Sequence, residues 1–206
     1  MDDLKNLECV LPKTKTVLLK LVESCEFLEN YVLVGGSALT MHLCHRRSED
    51  LDFFTYGDSF SKKAIFDVMQ HFQQKELLNQ SDEQIDVLLD GVKVTFFNAR
   101  WSFLKPQKPS RFNLATLEQL SAMKVNVLFL RAKYRDYYDL YFLSKEVHSL
   151  QQIFELSKNI VEGVTYKLFV VALLYIDDIE DDDISHLEPK ENISKEKIRD
   201  FFEKRV

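Results

Sequence analysis

The chain has 206 residues, of which 46% are hydrophobic, a size and composition that suit one or two small domains with a real core. Its formal net charge of -6 argues against broad, non-specific binding to nucleic acid, although a local basic patch is compatible with it. The first residues lack the basic-then-apolar pattern of a signal peptide, and the longest apolar stretch is far shorter than the roughly 20 residues that span a bilayer. We therefore expect a cytoplasmic protein that does not enter a membrane.

The three cysteines lie far apart in the sequence, at Cys9, Cys25 and Cys44. They form no close pair and show no spacing typical of a metal site. We therefore expect reduced cysteines that serve as small, buried, apolar side chains.

Apolar periodicity and turn residues divide the first half of the chain into helices and short strands. The predicted helices span residues 14–28, 37–43 and 60–78. The predicted strands span residues 31–34, 51–55, 85–89 and 92–97. Asp90-Gly91 joins the last two strands and favours a tight hairpin turn.

The second half of the chain has helical periodicity almost throughout. The predicted helices span residues 117–130, 135–143, 150–160, 164–176 and 194–204. Between the halves, residues 100–111 contain Pro106, Pro109 and several cations. Prolines remove a hydrogen-bond donor and disfavour helix on their N-terminal side, so this segment is the predicted linker. We predict two domains, residues 1–112 and 113–206.

Two carboxylates are predicted to lie on one face of the second strand. Side chains of a strand alternate between its faces, so Asp50 and Asp52 point the same way. Two such acids repel each other unless a cation lies between them, and Mg²⁺ prefers carboxylate and phosphate oxygens. By itself, such a pair more often consists of two surface acids on an edge strand.

A strand that runs into Gly35-Gly36-Ser37 and then into a helix precedes this pair. Glycines allow the backbone to approach a ligand closely, and the start of a helix offers N–H groups to a phosphate. Ser37 can either cap that helix or donate to a phosphate oxygen. The combination with a downstream Asp-x-Asp strand indicates one element for a triphosphate and another for the metal that bridges it.

Five motifs occur in order along the chain: VGGSAL at 34–39, HRRSEDLDFF at 45–54, GVKVTFF at 91–97, SAMK at 121–124 and RDYYDLYFL at 135–143. Together they resemble the AbiEii/AbiGii-type nucleotidyltransferases of the DNA-polymerase-β-like superfamily, many of which are toxins of toxin–antitoxin or phage-defence pairs. The resemblance covers residues 30–180. It implies an α+β nucleotidyltransferase fold, in which a small mixed sheet flanked by helices is followed by a C-terminal helical bundle.

The resemblance also implies roles for the residues of the first two motifs. Asp50 and Asp52 would hold Mg²⁺ or Mn²⁺ on the phosphates of an NTP substrate. Gly35, Gly36 and Ser37 would cradle the terminal phosphates.

Residues of the second half would complete the site. Lys124 would neutralise the charge that develops on phosphate, although a lysine on an amphipathic helix needs no such role. Asp139 or Asp136, which belong to the helical bundle, would complete the active site. Arg131 and Arg135 lie four residues apart, which puts them on one helical face if the helix continues between them, and they could meet phosphate or RNA.

The strand at 92–97 departs from the superfamily pattern, because Thr95 stands where a third carboxylate would help to activate the attacking hydroxyl. Some relatives also lack this acid, so its absence leaves the general base unassigned. Asp86 and Asp90, on the preceding strand, are alternatives, and Asp90 is also a typical turn residue.

The implied reaction is the Mg²⁺-dependent transfer of a nucleoside monophosphate from an NTP to an acceptor hydroxyl, with release of pyrophosphate. The resemblance suggests RNA as the acceptor, in particular the acceptor end of tRNA, and a toxin paired with an antitoxin protein encoded nearby.

Three observations keep other functions open. Trp101 stands among Arg100, Lys105, Lys108 and Arg111, a mixture that suits single-stranded RNA but also a solvated linker. Thr95, in place of the third acid, fits a non-catalytic nucleotide-binding or interaction protein. Because the chain carries more acidic than basic residues, a nucleotidyltransferase that modifies small molecules instead of nucleic acid is also compatible with the sequence.

Overall fold

Two units, Met1–Ala115 and Thr116–Val206, make up the chain. The computed structural model describes residues 4–58, 60–108, 110–180 and 183–206. Pro109 of the predicted linker lies outside these residues.

A mixed sheet with helices forms the first unit. Its helices are α1 (Pro12–Ser24), α2 (Gly35–Leu43) and α3 (Lys62–Met69). Its strands are β1 (Tyr31–Val34), β2 (Leu51–Thr55), β3 (Lys75–Gln80), β4 (Gln84–Leu89) and β5 (Val92–Asn98). Within the described residues the strand order is β1-β2-β5-β4-β3, in which β2 and β5 are parallel and the other pairs antiparallel. The predicted small mixed sheet is confirmed.

The core of the first unit lies on one face of this sheet. Phe53 of β2 and Phe96 of β5 are paired and their rings stack at 5.7 Å. Tyr31 of β1 meets Phe96 edge-on at 5.8 Å, and α1 packs against β5 on the same face. This alternation leaves the residues between the core positions to face the opposite side, where the polar side chains of the sheet collect.

Two helix predictions in the first unit are wrong. The predicted helix 14–28 ends at Ser24, because Cys25 is extended, and a 3-10 helix, Glu26–Asn30, follows. The predicted helix 60–78 ends at Met69, and its last residues form β3 instead. There, pairing with β4 satisfies the backbone along the sheet edge, and tertiary pairing overrides local helical periodicity.

The segment before the second unit is fastened to β1. The Leu33 N–H donates to the Asn113 carbonyl at 2.8 Å, and the Ala115 N–H donates to the Leu33 carbonyl at 3.0 Å. The Asn113 amide also donates to the carbonyls of Glu29 and Tyr31. These bonds cover the outer edge of β1, and the boundary between the units follows directly, after Ala115.

The expectation that all cysteines are reduced is wrong for two of them. Cys9 and Cys44 form a disulfide, with 5.4 Å between their Cα atoms. The Asn6 amide donates to the Met41 carbonyl at 2.8 Å, which holds the N-terminal segment beside α2 and brings the two cysteines together. Cys25 is a buried free thiol, as expected, and burial raises its pKa to about 11.

Helices form the second unit. They are α4 (Leu117–Leu130), α5 (Tyr134–Glu146), α6 (Leu150–Ser157), α7 (Tyr166–Leu174) and α8 (Lys195–Glu203). Capping boxes at Thr116–Gln119 and Ser149–Gln152 set the starts of α4 and α6. α4 packs against α5, α6 and α7, and α5 packs against α8. Among the residues described, no helix is long and apolar enough to cross a bilayer.

Candidate active site

The Asp-x-Asp strand and the glycine turn are in direct contact. In the antiparallel pair of β1 and β2, Val34 lies opposite Asp52. The next residue, Gly35, has φ +71, and a Cβ built on it would lie 2.5 Å from Oδ2 of Asp52. The Asp52 carboxylate therefore rests against the backbone of Gly35, at a position that only glycine leaves open.

Ser37 ties the start of α2 to the second motif. The helix begins at Gly35, so Ser37 lies inside its first turn, where it is buried, and it does not cap the helix. Its hydroxyl donates to the carbonyl of Asp50. The residue before the helix, Val34, has no capping side chain, and the N–H groups at the start of a helix are the groups that an anion can meet.

Arg46 is a site residue that the sequence analysis left without a role. A Cβ built on Gly36 would lie 2.8 Å from Nη2 of Arg46 and 3.1 Å from Oγ of Ser48. The Arg46 side chain is buried, and its Nη1 donates to the carbonyl of Arg47 at 2.8 Å. A guanidinium thus lies over the first turn of α2. Its position depends on the loop between α2 and β2, which no periodicity describes.

A row of polar residues crosses the sheet on the face opposite the core. Asp52 of β2 is paired with Thr95 of β5, Thr95 with Asp86 of β4, and Asp86 with Asn79 of β3. Directly paired residues point to the same face, so the four side chains lie side by side. Thr95 and Asp86 are both buried, at 7% and 6% exposure.

The structure separates the two alternative acids. Asp86 belongs to the polar row, where its carboxylate accepts hydrogen bonds from the Gln84 amide at 3.0 and 2.9 Å and from the Asn79 amide at 3.4 Å. Asp90 lies in the β4–β5 turn with φ 46 and accepts from the Gln74 N–H at 2.8 Å. Asp90 is therefore a turn residue, which leaves Asp86 as the acid near Thr95.

Aromatic rings continue the same face of the sheet beyond Asp52. Phe54 lies two residues after Asp52 and meets Phe97 at 5.0 Å and Trp101 at 6.1 Å. Trp101 in turn meets Phe103 at 5.6 Å. The four rings are half-buried. Strand alternation already places Phe54 on the face of Asp52, so the sequence carried the signal for this cluster.

The donor set at Asp50 and Asp52 fits a hard divalent cation. Both ligands are carboxylates, the oxygen donors that Mg²⁺ prefers, and the phosphate oxygens of a nucleotide would supply further ligands. Asp50 and Asp52 are therefore the residues that would hold the metal.

A buried ionic cluster lies in the second unit and joins the residues predicted there. The Lys124 ammonium is 3.0 Å from Asp136 and 2.5 Å from Asp139. Arg131 also binds Asp136, at 3.2 Å. Arg135 lies in the first turn of α5, half-buried, whereas Arg131 follows the end of α4, so the helix does not continue between the two arginines.

Charge in this cluster is balanced. Lys124 and both carboxylates are buried, whereas the Arg131 side chain is 46% exposed. Burial raises the pKa of the Asp136 carboxyl, but Lys124 and Arg131 outweigh burial and hold that pKa below its ordinary value. Asp136 therefore stays ionised at neutral pH and pins the Lys124 side chain in place.

Comparisons with known proteins support the fold. No family model matches the chain. An uncharacterised protein of Aquifex aeolicus is 29% identical over 201 residues, 95% of this chain and 96% of that protein.

Solved structures are similar over nearly the whole chain. A Helicobacter pylori protein described as a candidate nucleotidyltransferase has a TM-score of 0.54 at 18% identity, over 95% of this chain and 98% of that one. MenT4, a nucleotidyltransferase toxin of Mycobacterium tuberculosis, has a TM-score of 0.52 at 17% identity, over 93% of this chain and 84% of that one. The chain thus has the nucleotidyltransferase fold, and the predicted resemblance is confirmed at the level of the fold.

Proposed function

We propose that the protein is a Mg²⁺-dependent nucleotidyltransferase that transfers a nucleoside monophosphate from an NTP to an acceptor hydroxyl and releases pyrophosphate. One observation carries the proposal: the contact between the Asp52 carboxylate and the backbone of Gly35. Phosphates bound at the first turn of α2 would lie directly beside an ion held by Asp50 and Asp52. Phosphoryl transfer needs little beyond such positioning and charge neutralisation.

Residues of the first unit divide this work. The N–H groups of Gly36 and Ser37 would orient the terminal phosphates, and the Arg46 guanidinium over Gly36 would offset their charge. Asp50 and Asp52 would hold Mg²⁺, which neutralises phosphate charge when bound. The acceptor hydroxyl then attacks the α-phosphorus, and the bond to pyrophosphate breaks.

The aromatic cluster supports a nucleic acid as the acceptor. Phe54, Phe97 and Trp101 lie on the face of Asp52, and unstacked bases bind to such rings. Exposed cations follow closely in the chain, at Lys105, Lys108 and Arg111. We infer that the acceptor is an RNA 3′ end, such as the acceptor end of tRNA.

The resemblance to AbiEii/AbiGii-type nucleotidyltransferases also supports a role as a toxin. MenT4 is described as a nucleotidyltransferase toxin, and its fold extends over most of this chain. We infer a toxin whose partner is an antitoxin protein encoded nearby. In the second unit, Lys124 would neutralise phosphate charge, with Asp136 or Asp139 as its partner. Arg131 and Arg135 would contact phosphate or RNA.

The metal site can be tested by replacing both Asp50 and Asp52 with Asn. We expect the double variant to keep its fold but to lose Mg²⁺-dependent NTP binding in calorimetry, because neutral amides do not replace two carboxylates as ligands. Asp67→Asn, at an exposed position of α3, is the matched control and should bind NTP like the wild type. Unchanged NTP affinity in the double variant would refute the proposal.

The transfer itself is tested with labelled nucleotides. The protein is incubated with each labelled NTP, Mg²⁺ and total RNA, and we expect label in a discrete RNA band together with release of pyrophosphate. Label on a small hydroxylated molecule would instead indicate a small-molecule nucleotidyltransferase.

A non-catalytic nucleotide-binding protein is the second candidate. The observation that favours it is Thr95, which occupies the position of the third carboxylate next to Asp52. This second function would be supported if the protein binds NTP but releases no pyrophosphate with any acceptor tested.

A further inference from the structure

Asp86 is a buried carboxylate without a cationic partner. It is 6% exposed, and its oxygens accept from the neutral amides of Gln84 and Asn79. In the part of the chain that the structure describes, no ion pair reaches it. Burying a charge without compensation is costly, so such a group is retained where it binds a cation, takes up a proton or acts on a ligand.

Distances along the polar row decide between these roles. Asp52 and Asp86 are separated by one strand, so their Cα atoms lie about 10 Å apart. With bonds of about 1.5 and 1.2 Å, a carboxylate oxygen extends only about 2.4 Å beyond Cβ, so the two carboxylates would be about 5 Å apart with both side chains turned towards each other. A shared Mg²⁺ would need less, about 4.2 Å, because each Mg–O bond is about 2.1 Å.

The gap suits a small group placed between the two acids. An acceptor hydroxyl above Thr95 could bring its oxygen to the roughly 2.6–3.2 Å from an Asp86 oxygen at which a base removes a proton. The Thr95 side chain ends one bond closer to the backbone than an aspartate at this position would. Asp86 therefore stands one strand beyond the usual position of the third carboxylate, on the same face of the sheet.

We propose that Asp86 is the general base of the transfer reaction, an inference that rests on the proposed nucleotidyltransferase function. The proton of the acceptor hydroxyl passes to the Asp86 carboxylate as the hydroxyl oxygen bonds to the α-phosphorus. The bond between the α-phosphorus and the bridging oxygen breaks, and pyrophosphate leaves with that electron pair. The Gln84 amide, bonded to both oxygens of Asp86, is a positioning group that holds the carboxylate in the row.

Asp86→Asn tests the assignment in single-turnover kinetics with the full chain. General bases contribute roughly 10²–10⁴-fold, so we expect the rate of the chemical step to fall by about that factor while NTP affinity stays within about twofold. Glu76→Gln is the matched control, because Glu76 is an exposed acid on β3 opposite Leu88, on the same face of the sheet. It should leave both quantities unchanged. If Asp86→Asn does not fold, Asp86→Ser, which keeps an acceptor for Gln84, takes its place.

A second variant separates a catalytic role from a structural one. Adding Thr95→Asp to Asp86→Asn returns a carboxylate to the row from the neighbouring strand, and we expect it to recover at least tenfold of the lost rate. A purely structural role for Asp86 would give no recovery. The assignment is overturned if Asp86→Asn keeps its rate, loses NTP binding in proportion to its rate, or is not rescued by Thr95→Asp.

The same measurements separate this inference from the function on which it rests. Wild-type protein that transfers no nucleotide would remove both. An active wild type with an equally active Asp86→Asn variant would remove only the role of Asp86.

Discussion

At the scale of single residues, the clearest constraint lies at Gly35. Two features favour glycine at this position: the φ of +71 and the contact with Asp52. Their effects can be measured separately, because Gly163 has the same φ but nothing within 4 Å of its Cβ position. The conformational cost of alanine in the left-handed region is about 1–2 kcal/mol. Gly163→Ala should therefore lose stability by about this amount, and Gly35→Ala by at least as much.

Only Gly35→Ala should also impair nucleotide binding. Its methyl group must displace the Asp52 carboxylate or shift α2, and either change disturbs the proposed metal site. We expect weaker Mg²⁺-dependent NTP binding in calorimetry for Gly35→Ala and wild-type affinity for Gly163→Ala. Equal affinities for the two variants would show that the contact between Gly35 and Asp52 has no part in binding.

At the scale of secondary-structure elements, the ionic cluster connects α4 to α5. Asp136→Asn removes one buried partner of Lys124 and the partner of Arg131. We expect a loss of about 3 kcal/mol in the free energy of unfolding, the lower end of the range for a broken buried pair, because Lys124 keeps Asp139. Glu191→Gln, which breaks the exposed pair with Lys145, should cost at most about 1 kcal/mol.

The same cluster predicts a pH dependence. Because the pKa of Asp136 is lowered in the folded protein, the stability that it contributes is fully present above the ordinary Asp pKa of about 3.9 and is lost as pH falls below it. Denaturant titrations should therefore show the difference between wild type and Asp136→Asn shrinking below about pH 4. A difference that stays constant to lower pH would contradict the folded-state charge assigned to Asp136.

The disulfide joins the N-terminal segment to the end of α2. It closes a loop between residues 35 apart in sequence, for which the loss of disorder in the unfolded chain is worth about 2–4 kcal/mol. Cys44→Ser should lower the free energy of unfolding by this amount under oxidising conditions. With reductant, wild type and Cys44→Ser should unfold together. A wild type that is insensitive to reductant would mean that the bond adds no stability.

At the scale of the whole molecule, net charge and RNA binding have to be reconciled. The chain carries a formal charge of -6, so RNA binding would depend on a local group of cations. If Lys105, Lys108 and Arg111 contact phosphates, replacing all three with Ala should make the log–log salt slope shallower by about 2, at roughly 0.7 per contact for single strands. NTP binding should be unaffected.

A matched triple variant controls for charge alone. Lys158, Lys197 and Lys204 are exposed lysines of the second unit, and their replacement with Ala changes the net charge equally. Its salt slope should stay close to that of the wild type. If both triple variants have the original slope, residues 105–111 do not contact RNA, and the acceptor has to be sought among smaller molecules.

Sequence patterns were most informative where burial and local chemistry agree. β1 and β2 were predicted with their observed bounds, because short apolar runs end at glycines or at charged residues. The same holds for α4, whose cap Thr116 and apolar spacing mark both ends. The prediction was wrong at residues 75–78, where Leu77 and Leu78 continue a helical pattern but lie on the exposed edge strand β3.

Local sequence by itself determined the parts whose physics is local. Alternation along β2 placed Asp52 and Phe54 on one face, and the two glycines marked a position that side chains can approach closely. Such features depend only on residues that are neighbours in the sequence, so a short stretch of sequence is enough to predict them.

Tertiary structure alone decided which of these local features meet. The parallel pairing of β2 with β5 sets Thr95 beside Asp52 and brings Asp86 into the row, although 34 positions separate Asp52 from Asp86 in the numbering. Likewise, Arg46 lies over Gly36, and Cys9 is joined to Cys44, through the path of loops. Strand register and loop closure depend on contacts between distant parts of the chain, and local periodicity carries no information about them.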